Sequence, residues 1–417
     1  MQTSLKQLAR KCLGSLPFDP YVALEKGWGR YLRWKASPGK NHFRKDGVSL
    51  FFDVNGLNSL SKVGRDFTRK ISDTTIPFSV IDTARLWNSM ARIPVEDARI
   101  IAPFISRKAP FKKAIALRCP EDTKTGEYDW YSDVFYEFSE GLLNFRPNLF
   151  QKVRGVCVFS KFCEKIVRDV APDDFPIYYF RYPFIFPDRS KVGSRTSVRA
   201  KFGIPRNAFT AFFNFDYRSS MERKNPQACI MAFSKAFKGR KDAFLVFKTS
   251  GADVCSEDHF KLTQFAAAQG IRDQIIFINS YLSEQDITDL TAAMDVYLSL
   301  HRGEGLGLGM LEAMALNVPV IASAYGGNTE FTMESTAFPV PCEIVSCHPT
   351  TPAMAHAKKW ADPDIVSASE SLKQVYGQQS LARKRAAKGC EFVRDFYSLA
   401  NFEKSVYRFL DEPDFPN

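Results

Sequence analysis

Glu304-Gly-Leu-Gly-Leu-Gly-Met-Leu-Glu312 is the most informative stretch of this chain, because three glycines separate two acids that lie eight residues apart. Immediately upstream, Asp295-Val-Tyr-Leu-Ser-Leu300 alternates and is rich in β-forming residues, which is typical of a buried strand. The predicted order along the chain is therefore a strand, a glycine loop and a helix.

This order has a chemical consequence. Bare glycine backbone lets a ligand approach closely, and the unpaired N–H groups at the start of a helix attract phosphate. Glu304 is expected in the loop and Glu312 on the first turns of the helix, so both acids can face one crevice. Carboxylates accept hydrogen bonds from neighbouring hydroxyls, which suits sugar and ribose diols. The pattern describes a nucleotide-sugar site, and a glycine turn that binds nothing is the alternative.

The same stretch resembles the retaining GT-B glycosyltransferases, a superfamily whose donor site carries an E-x7-E motif. The similarity rests on E-G-L-G-L, L-E-A-M-A, P-V-I-A-S and a Gly-Gly-Asn loop at Gly326 to Asn328. It extends to Phe215-Asp-Tyr-Arg-Ser-Ser-Met-Glu-Arg-Lys-Asn-Pro226 and to Trp360-Ala-Asp-Pro-Asp364. Neither the G-x-G-x-x-G spacing of a dinucleotide fold nor a P-loop occurs in this sequence.

The resemblance implies an α/β protein of the GT-B type, in which two Rossmann-like doubly wound domains face each other across a cleft. It implies a hexosyltransferase-type enzyme that moves a sugar from a nucleotide diphosphate sugar to a glycan or lipid-linked acceptor, with retention of anomeric configuration and without a metal or other cofactor. A silent nucleotide-sugar-binding module and another GT-B enzyme, such as an epimerase or a phosphorylase, are the alternatives.

The resemblance also assigns roles to individual residues. Arg218 and Lys224 would hold the donor diphosphate, because a departing diphosphate gathers negative charge and needs fixed cations. Glu304 would bind hydroxyls of the donor sugar, and Glu312 would bind the ribose diol. The loop residues that would face the donor are Gly305, Leu306, Gly307 and Leu308.

Several of these positions allow a second interpretation. Arg223 and Lys224 adjoin Glu222, so a solvated basic turn is the alternative for the cations. Lys248 is either a third phosphate contact or a charge at the end of a strand. Tyr281 either packs near the nucleobase or closes the edge of the core.

Three residues depart from the family pattern. Leu306 stands where Phe is frequent, Gly309 where Pro is frequent, and Asn317 where Gly is usual. Asn tolerates the left-handed backbone conformation, so Asn317 can end the helix as glycine does. The segment Asp362-Pro-Asp364 spells the D-x-D of metal-dependent glycosyltransferases, but it is expected to follow a helical segment, and no catalytic divalent metal is predicted.

Both halves of the chain alternate between β and α patterns, which predicts doubly wound sheets. Strands are predicted at residues 48–54, 78–82, 113–118, 156–159, 209–215, 243–249, 274–279 and 295–300. Helices are predicted around residues 226–237, 258–269 and 284–294, and a helical pattern returns over residues 367–412. Ser160 is expected to cap the helix that follows the fourth strand.

Acceptor contacts are expected in the first half. Gly64 and Arg65 keep part of a loop pattern that faces the acceptor in one branch of the superfamily, with a structural turn as the equal alternative. Glu137 belongs to a Tyr-Glu pair that resembles a Trp-Glu of some relatives, and an ordinary surface acid is its alternative. His42 is the only histidine before residue 259, so the place of the histidine that relatives put near the donor sugar is vacant or filled by another group.

Four units are predicted along the chain. They are a basic segment at residues 1–45, a Rossmann-like acceptor domain at 46–190, a Rossmann-like donor domain at 191–385, and a helix at 386–417 that crosses back to the first domain. The Pro-rich and basic stretch 182–206 is expected to be the linker, because its composition resists packing in a core.

Composition and charge bound the functional classes. The chain has 417 residues, of which 45% are hydrophobic, and nine cysteines without a C-x-x-C pair. Reduced thiols in a cytoplasmic protein are expected, with neither a structural zinc site nor a disulfide framework. No apolar run approaches about 18 residues, so no transmembrane helix is expected.

The net charge of +11 is concentrated at one end, since residues 1–45 hold ten Lys or Arg against Asp19 and Glu25. This segment could hold the protein reversibly at an anionic membrane surface, because each basic residue near such a surface contributes about 1 kcal/mol at best. A helix that packs on the protein's own core, a solvated arm and a nucleic-acid patch are alternatives, and no nucleic acid is predicted as a partner. Membrane contact would suit an enzyme of cell-envelope polysaccharide or glycolipid synthesis.

Overall fold

The structure is a computed structural model. The residues that it describes are 44–54, 59–83, 100–106, 109–117, 130–132, 138–139, 141–142, 148–350 and 354–411. All but the last two residues of the predicted basic segment lie outside these ranges, and so does Glu137. Within these ranges, no helix is both long and apolar enough to cross a membrane.

The first domain is built on a parallel sheet of six strands in the order β2-β1-β3-β4-β5-β6. The strands are β1 (Arg44–Phe52), β2 (Phe78–Asp82), β3 (Phe111–Ala116), β4 (Trp130–Ser132), β5 (Gly155–Val158) and β6 (Ile177–Tyr179). Alternate residues of β1 enter different cores, since Leu50 and Phe52 belong to one cluster and Phe51 to another. This sheet is therefore covered on both faces, as parallel sheets require.

The second domain also contains a parallel sheet of six strands, in the order β12-β11-β10-β7-β8-β9. These strands are β7 (Phe209–Asp216), β8 (Ala243–Ser250), β9 (Ile275–Asn279), β10 (Val296–Ser299), β11 (Val320–Ser323) and β12 (Phe338–Val340). The chain enters this sheet at the central strand β7 and adds β8 and β9 on one side. It then crosses back and adds β10, β11 and β12 on the other side of β7. Strand order thus reverses between β7 and β10, and a doubly wound sheet binds ligands in the crevice at such a point.

A two-stranded antiparallel sheet follows, made of β13 (Cys342–Ser346) and β14 (Lys359–Pro363). The described helices of the first domain and the connection are α1 (Ser59–Ser72), α2 (Leu149–Lys152), α3 (Lys161–Arg168) and α4 (Arg195–Lys201). The later helices are α5 (Met221–Lys224), α6 (Pro226–Phe237), α7 (Ser256–Ala268), α8 (Glu284–Ala292), α9 (Leu308–Ala315), α10 (Ile365–Gly377), α11 (Gln379–Phe396) and α12 (Leu399–Asp411).

The predicted α/β class is confirmed, and the strand and helix patterns located most elements to within a few residues. Ser160 caps α3 as predicted, since its side chain accepts a hydrogen bond from the Cys163 N–H. The expectation of a loosely packed linker is wrong, because Tyr182, Phe184 and Arg199 within residues 182–206 are fully buried. The domain boundaries drawn from the sequence stay predictions.

The last helix, α12, packs on the first domain. Lys113 Nζ donates a hydrogen bond to the Phe409 carbonyl at 2.7 Å, and Tyr178 Oη donates to the Ser405 carbonyl at 2.7 Å. The rings of Phe67 and Phe402 meet edge to face at 5.1 Å. The C-terminal helix therefore joins the two domains covalently and through its own packing.

Gly64 lies inside α1, where the helix crosses β1 closely. A Cβ atom at this position would come within 2.4 Å of the Phe52 ring, which is fully buried. The small side chain at residue 64 thus sets the distance between α1 and the sheet.

We expect Gly64→Ala to lower the free energy of unfolding by about 1–3 kcal/mol, because overpacking of a tight core outweighs the better helix propensity of alanine. Gly377→Ala is the matched control, since an added Cβ there meets no atom within 4 Å. Chemical denaturation of both variants measures the difference. Equal stability of the two variants would contradict this account of Gly64.

Candidate active site

The candidate site lies where the strand order of the second sheet reverses. β7 ends at Asp216 and leads into α5, which carries Lys224, whereas β10 ends at Ser299 and leads into the glycine loop that begins at Glu304. Because both strands point the same way, the segments that follow them meet at one edge of the sheet. Sequence reasoning placed the site at this edge.

Glu304 is the centre of a buried charge cluster. Its side chain accepts a hydrogen bond from Lys224 Nζ, and Arg223 Nη1 lies 3.4 Å from the same carboxylate oxygen, Oε1. Arg223 Nη1 also donates to the Gly303 carbonyl at 2.7 Å. Two cations from one short helix therefore converge on one acid, and a buried acid requires such partners.

The electrostatics keep Glu304 ionised. Burial alone would raise the pKa of Glu304, but Lys224, Arg223 and the nearby His301 lower it to about 2. Burial lowers the pKa of Lys224, and Glu304 offsets only part of that effect. A fixed carboxylate beside a desolvated ammonium group is an arrangement that can bind hydroxyls on one side and phosphate oxygens on the other.

His301 contacts the segment that contains the Gly-Gly-Asn loop. It is fully buried, and its Nε2 lies 2.8 Å from the Tyr325 carbonyl and 3.1 Å from Asn328 Oδ1. Two acceptors at Nε2 place the proton on that nitrogen, and Nδ1 then accepts from Ser299 Oγ at 3.0 Å. Burial lowers the pKa of His301, and the nearby Glu304 offsets part of this shift.

The glycines of both motifs are explained by close backbone approach. Gly327 N–H donates to the Glu304 carbonyl at 2.9 Å, and a Cβ at Gly327 would come within 2.0 Å of the Gly305 carbonyl oxygen. Gly307, which begins α9, has a φ of +91°, a conformation that favours glycine. The Gly-Gly-Asn loop and the glycine loop thus lie directly against each other.

Asp216 interacts with the three cations that were predicted to bind phosphate, Arg218, Lys224 and Lys248. Arg218 binds it twice, with Nη2 at 2.6 Å from Oδ2 and Nε at 3.0 Å from Oδ1. Burial lowers the pKa of Lys248, Asp216 partly offsets this shift, and Asp216 likewise acts on the pKa of Lys224. Arg218 thus contacts Asp216 directly, while Lys248 and Lys224 lie close enough for its charge to act on their pKa values. Arg218 is about half exposed and does not contact Glu304.

The second acid of the motif faces the first domain. Glu312 Oε1 lies 3.9 Å from Lys62 Nζ on α1, and Lys62 also binds Asp66 at 3.0 Å. Burial raises the pKa of Glu312, and Lys62 offsets part of this shift. Burial raises the pKa of Tyr297 and both Glu312 and Glu304 raise it further, so both acids lie near this one phenol group.

The first domain covers the glycine loop. Ser160 Oγ donates to the Gly305 carbonyl at 2.6 Å, and Cys163 Sγ lies 3.2 Å from the same oxygen. Glu330 of the second domain accepts hydrogen bonds from the Lys161 N–H and from Tyr179 Oη, the latter at 2.6 Å. The site is consequently an interdomain one.

The remaining predicted residues occupy different surroundings. Leu306 is buried and Leu308 is partly buried at the start of α9. Tyr281 is 57% exposed, with the Arg218 guanidinium 5.9 Å from its ring, so it does not close the core edge. Arg65 is buried, and its Nη1 lies 3.4 Å from the Val54 carbonyl.

The expectation for the D-x-D segment is wrong in its structural context. Asp362 lies on β14 and not after a helix, and it binds Arg302 Nη2 at 3.1 Å. Asp364 caps α10 by accepting a hydrogen bond from the Val366 N–H at 2.7 Å. In the described part of the chain, no group of three or more His, Cys, Asp or Glu side chains could hold a metal ion.

Sequence reasoning missed Arg223, His301 and Lys62 as members of the site. The interpretation of Arg223 as part of a solvated basic turn is wrong, because this residue is buried against Glu304. Its place directly before Lys224 was the available signal. No comparable sequence signal pointed to Lys62, since the site residue that it contacts, Glu312, lies in the other domain.

The ionisation of Glu304 predicts a pH-dependent stability. Its folded pKa of about 2 lies below the ordinary value of 4.5, so its charge stabilises the folded state above pH 4.5 and this contribution is lost as the pH falls toward 2. Glu304→Gln should therefore destabilise most near neutral pH. Between about pH 6 and pH 4, the difference in free energy of unfolding from the native protein should shrink by about 1 kcal/mol.

Glu334→Gln, which changes an exposed acid, is the control and should show no such trend. Urea denaturation over this pH range gives the measurement. A difference between Glu304→Gln and the native protein that is independent of pH would contradict the buried ion pair.

Comparison with known proteins agrees with this geometry. Residues 216–338 match the family model "Glycosyl transferases group 1". A segment of 88 residues is 33% identical to the lipopolysaccharide core biosynthesis mannosyltransferase LpsB of Rhizobium meliloti (strain 1021), which corresponds to 21% of this chain and 24% of LpsB. The match thus spans about a quarter of that curated relative.

Similar structures extend over most of the chain. HepE from Anabaena, solved in complex with UDP-glucose, has a TM-score of 0.61 at 14% identity and covers 88% of this chain and 100% of its own. WaaG, a glycosyltransferase involved in lipopolysaccharide biosynthesis, has a TM-score of 0.60 at 13% identity with coverages of 88% and 100%. The resemblance and the fold predicted from the sequence are confirmed. Residues 216–338 are thus similar to the group 1 glycosyltransferases, and the two parallel sheets are arranged as in the GT-B fold.

Proposed function

We propose that this protein transfers a sugar from a nucleotide diphosphate sugar to a glycan or lipid-linked acceptor, with retention of anomeric configuration and without a metal. The observation that carries the proposal is the buried contact of Glu304 with Lys224 and Arg223 beside the glycine loop. Glu304 binds hydroxyls of the donor sugar, and Glu312 binds the ribose diol.

The cations around Asp216 receive the diphosphate. As the glycosidic bond breaks, negative charge grows on the departing diphosphate, and preorganised cations and main-chain N–H groups stabilise it. Lys224 is partly buried and is fixed by Glu304, so little reorganisation is needed during the reaction. Arg218 binds Asp216 directly, and Lys248 lies close enough for Asp216 to offset part of the lowering of its pKa by burial, so both cations lie near the end of β7.

The acceptor belongs to cell-envelope polysaccharide or glycolipid synthesis in this proposal. The partial match to LpsB and the likeness to WaaG, which acts in lipopolysaccharide biosynthesis, support it. The basic segment at residues 1–45 would hold the protein at the inner face of the membrane, where a lipid-linked acceptor is present. The protein would then be cytoplasmic and peripheral.

A donor screen tests the reaction class. We expect one or more of the uridine, guanosine and adenosine diphosphate sugars to raise the melting temperature, since a ligand at 100 times its Kd stabilises the folded state by about 2.7 kcal/mol. Sugar release or transfer from the donor that binds best then separates an enzyme from a silent binding module. Binding of none of these donors would overturn the proposal.

Lys224→Ala should lower turnover by about 100-fold or more, because a fixed donor to the departing diphosphate is lost. The melting temperature should change little, because Arg223 still neutralises Glu304. Lys261→Ala, at an exposed lysine of α7, is the control and should keep full turnover. Full activity of Lys224→Ala would contradict the assignment.

A further inference from the structure

A narrow crevice lies beside the Glu304 cluster, since Arg223 and Gly303 line it. Three cations line it, Arg223, Arg302 and Lys359, and so do three aromatic rings, Phe138, Tyr325 and Trp360. No acid is among the described residues that line it. This combination of positive charge and ring faces is unlike the diol-binding acids of the donor site.

The crevice opens between the two domains and adjoins the reacting end of the site. Phe138 comes from the first domain, and its ring lies 5.7 Å from that of Tyr325 in the second. Gly303 also lines the crevice and directly precedes Glu304. Arg223 connects the two places, since it lines the crevice and lies 3.4 Å from Glu304.

Arg302 is held in a fixed position in this wall. Its guanidinium lies 4.6 Å from the centre of the Trp360 ring, and Nη2 binds Asp362 at 3.1 Å. Its Nη1 lies 3.3 Å from the Glu222 carbonyl of α5. Within the described part of the chain, the Nε–H of Arg302 is buried and has no hydrogen-bond partner, and a buried donor in this state favours an acceptor from a ligand.

The size of the crevice limits what enters it. Its volume of about 10 Å³ is space for roughly one water-sized group, so neither a sugar ring nor a whole phosphate fits inside, whereas a single oxygen of an anionic group does. The apolar C–H face of a sugar ring packs well on aromatic faces at the mouth. Anionic oxygens are the partners that an arginine fork and a lysine favour.

We propose that this crevice, formed by Arg302, Lys359 and Arg223 with the rings of Trp360, Tyr325 and Phe138, binds the carboxylate or phosphate of an anionic acceptor sugar. The proposal rests on the proposed function, because it places the acceptor next to the donor sugar at Glu304. One oxygen of the anionic substituent enters the crevice, its other oxygens stay at the opening, and the sugar ring packs against the aromatic rings with a hydroxyl toward the donor. Acceptor specificity thus comes in part from Lys359 and Trp360 on β14.

The test uses the full-length protein saturated with the nucleoside diphosphate that stabilises it most, so that the phosphate-binding cations of the donor site are occupied. Binding of glucose, glucuronate, glucose 6-phosphate and inorganic phosphate is then measured by isothermal titration or ligand-observed NMR. Glucuronate or glucose 6-phosphate should bind about tenfold tighter than both glucose and inorganic phosphate. Glucose that binds as tightly as its charged forms would overturn the proposal.

Variants locate the site of binding. Arg302→Gln and Lys359→Gln should each weaken binding of the charged sugar about tenfold and leave glucose binding unchanged. Lys261→Gln, which removes an exposed charge on α7, is the matched control and should have no effect. Charged sugars that bind all of these variants equally well would place their site elsewhere and refute the crevice.

Nucleoside diphosphate affinity, measured in the same samples, separates the two proposals. A native protein that binds no nucleotide would refute the proposed function, whereas normal nucleotide binding without a preference for charged sugars refutes only the crevice. If Arg302→Gln also loses nucleotide binding, α5 has moved, and Lys359→Gln on β14 then decides.

Discussion

A carboxylate buried between two domains has to be neutralised, and Glu304 is neutralised by Lys224 and Arg223 from one short helix. That helix, α5, is bounded by two residues with left-handed backbone, Ser220 at a φ of +66° and Asn225 at +54°. Such conformations cost about 1–3 kcal/mol each and persist only where the surroundings impose them. The ion pairs and the bond from Arg302 to the Glu222 carbonyl impose them here.

The sequence predicted four strands of each sheet and missed short ones in both. β7 and β8 have eight residues each, so their hydrophobic pattern can be read, and the E-x7-E stretch is local, so strand, loop and helix follow from neighbouring residues. β4 and β6 have three residues each and carry no readable alternation. Burial of Tyr182 and Phe184 depends on the fold as a whole, so composition gave the wrong answer there.

For the site, too, the sequence predicted features that depend on neighbouring residues and missed features that depend on residues far apart in the chain. The motifs predicted Glu304 and Lys224 as site residues, whereas the burial of Arg223 depends on an acid far along the chain. Two departures from the family pattern have structural causes. Asn317 has a φ of +67° and ends α9 as predicted, and Gly309 is required because a Cβ there would come within 2.2 Å of Tyr297 Oη.

Ser160 closes the loop from the opposite domain, and this contact has a kinetic consequence. Its hydroxyl donates to the Gly305 carbonyl, and the Glu330 carboxylate accepts from the Lys161 N–H at the start of α3 and from Tyr179 Oη. A substrate that enters or a product that leaves between these surfaces would require the hydrogen bonds of Ser160 and Glu330 to break. In an enzyme that opens by separating its domains, these contacts would break in every turnover, and a change at Ser160 or Glu330 would alter the rate without changing the reacting groups.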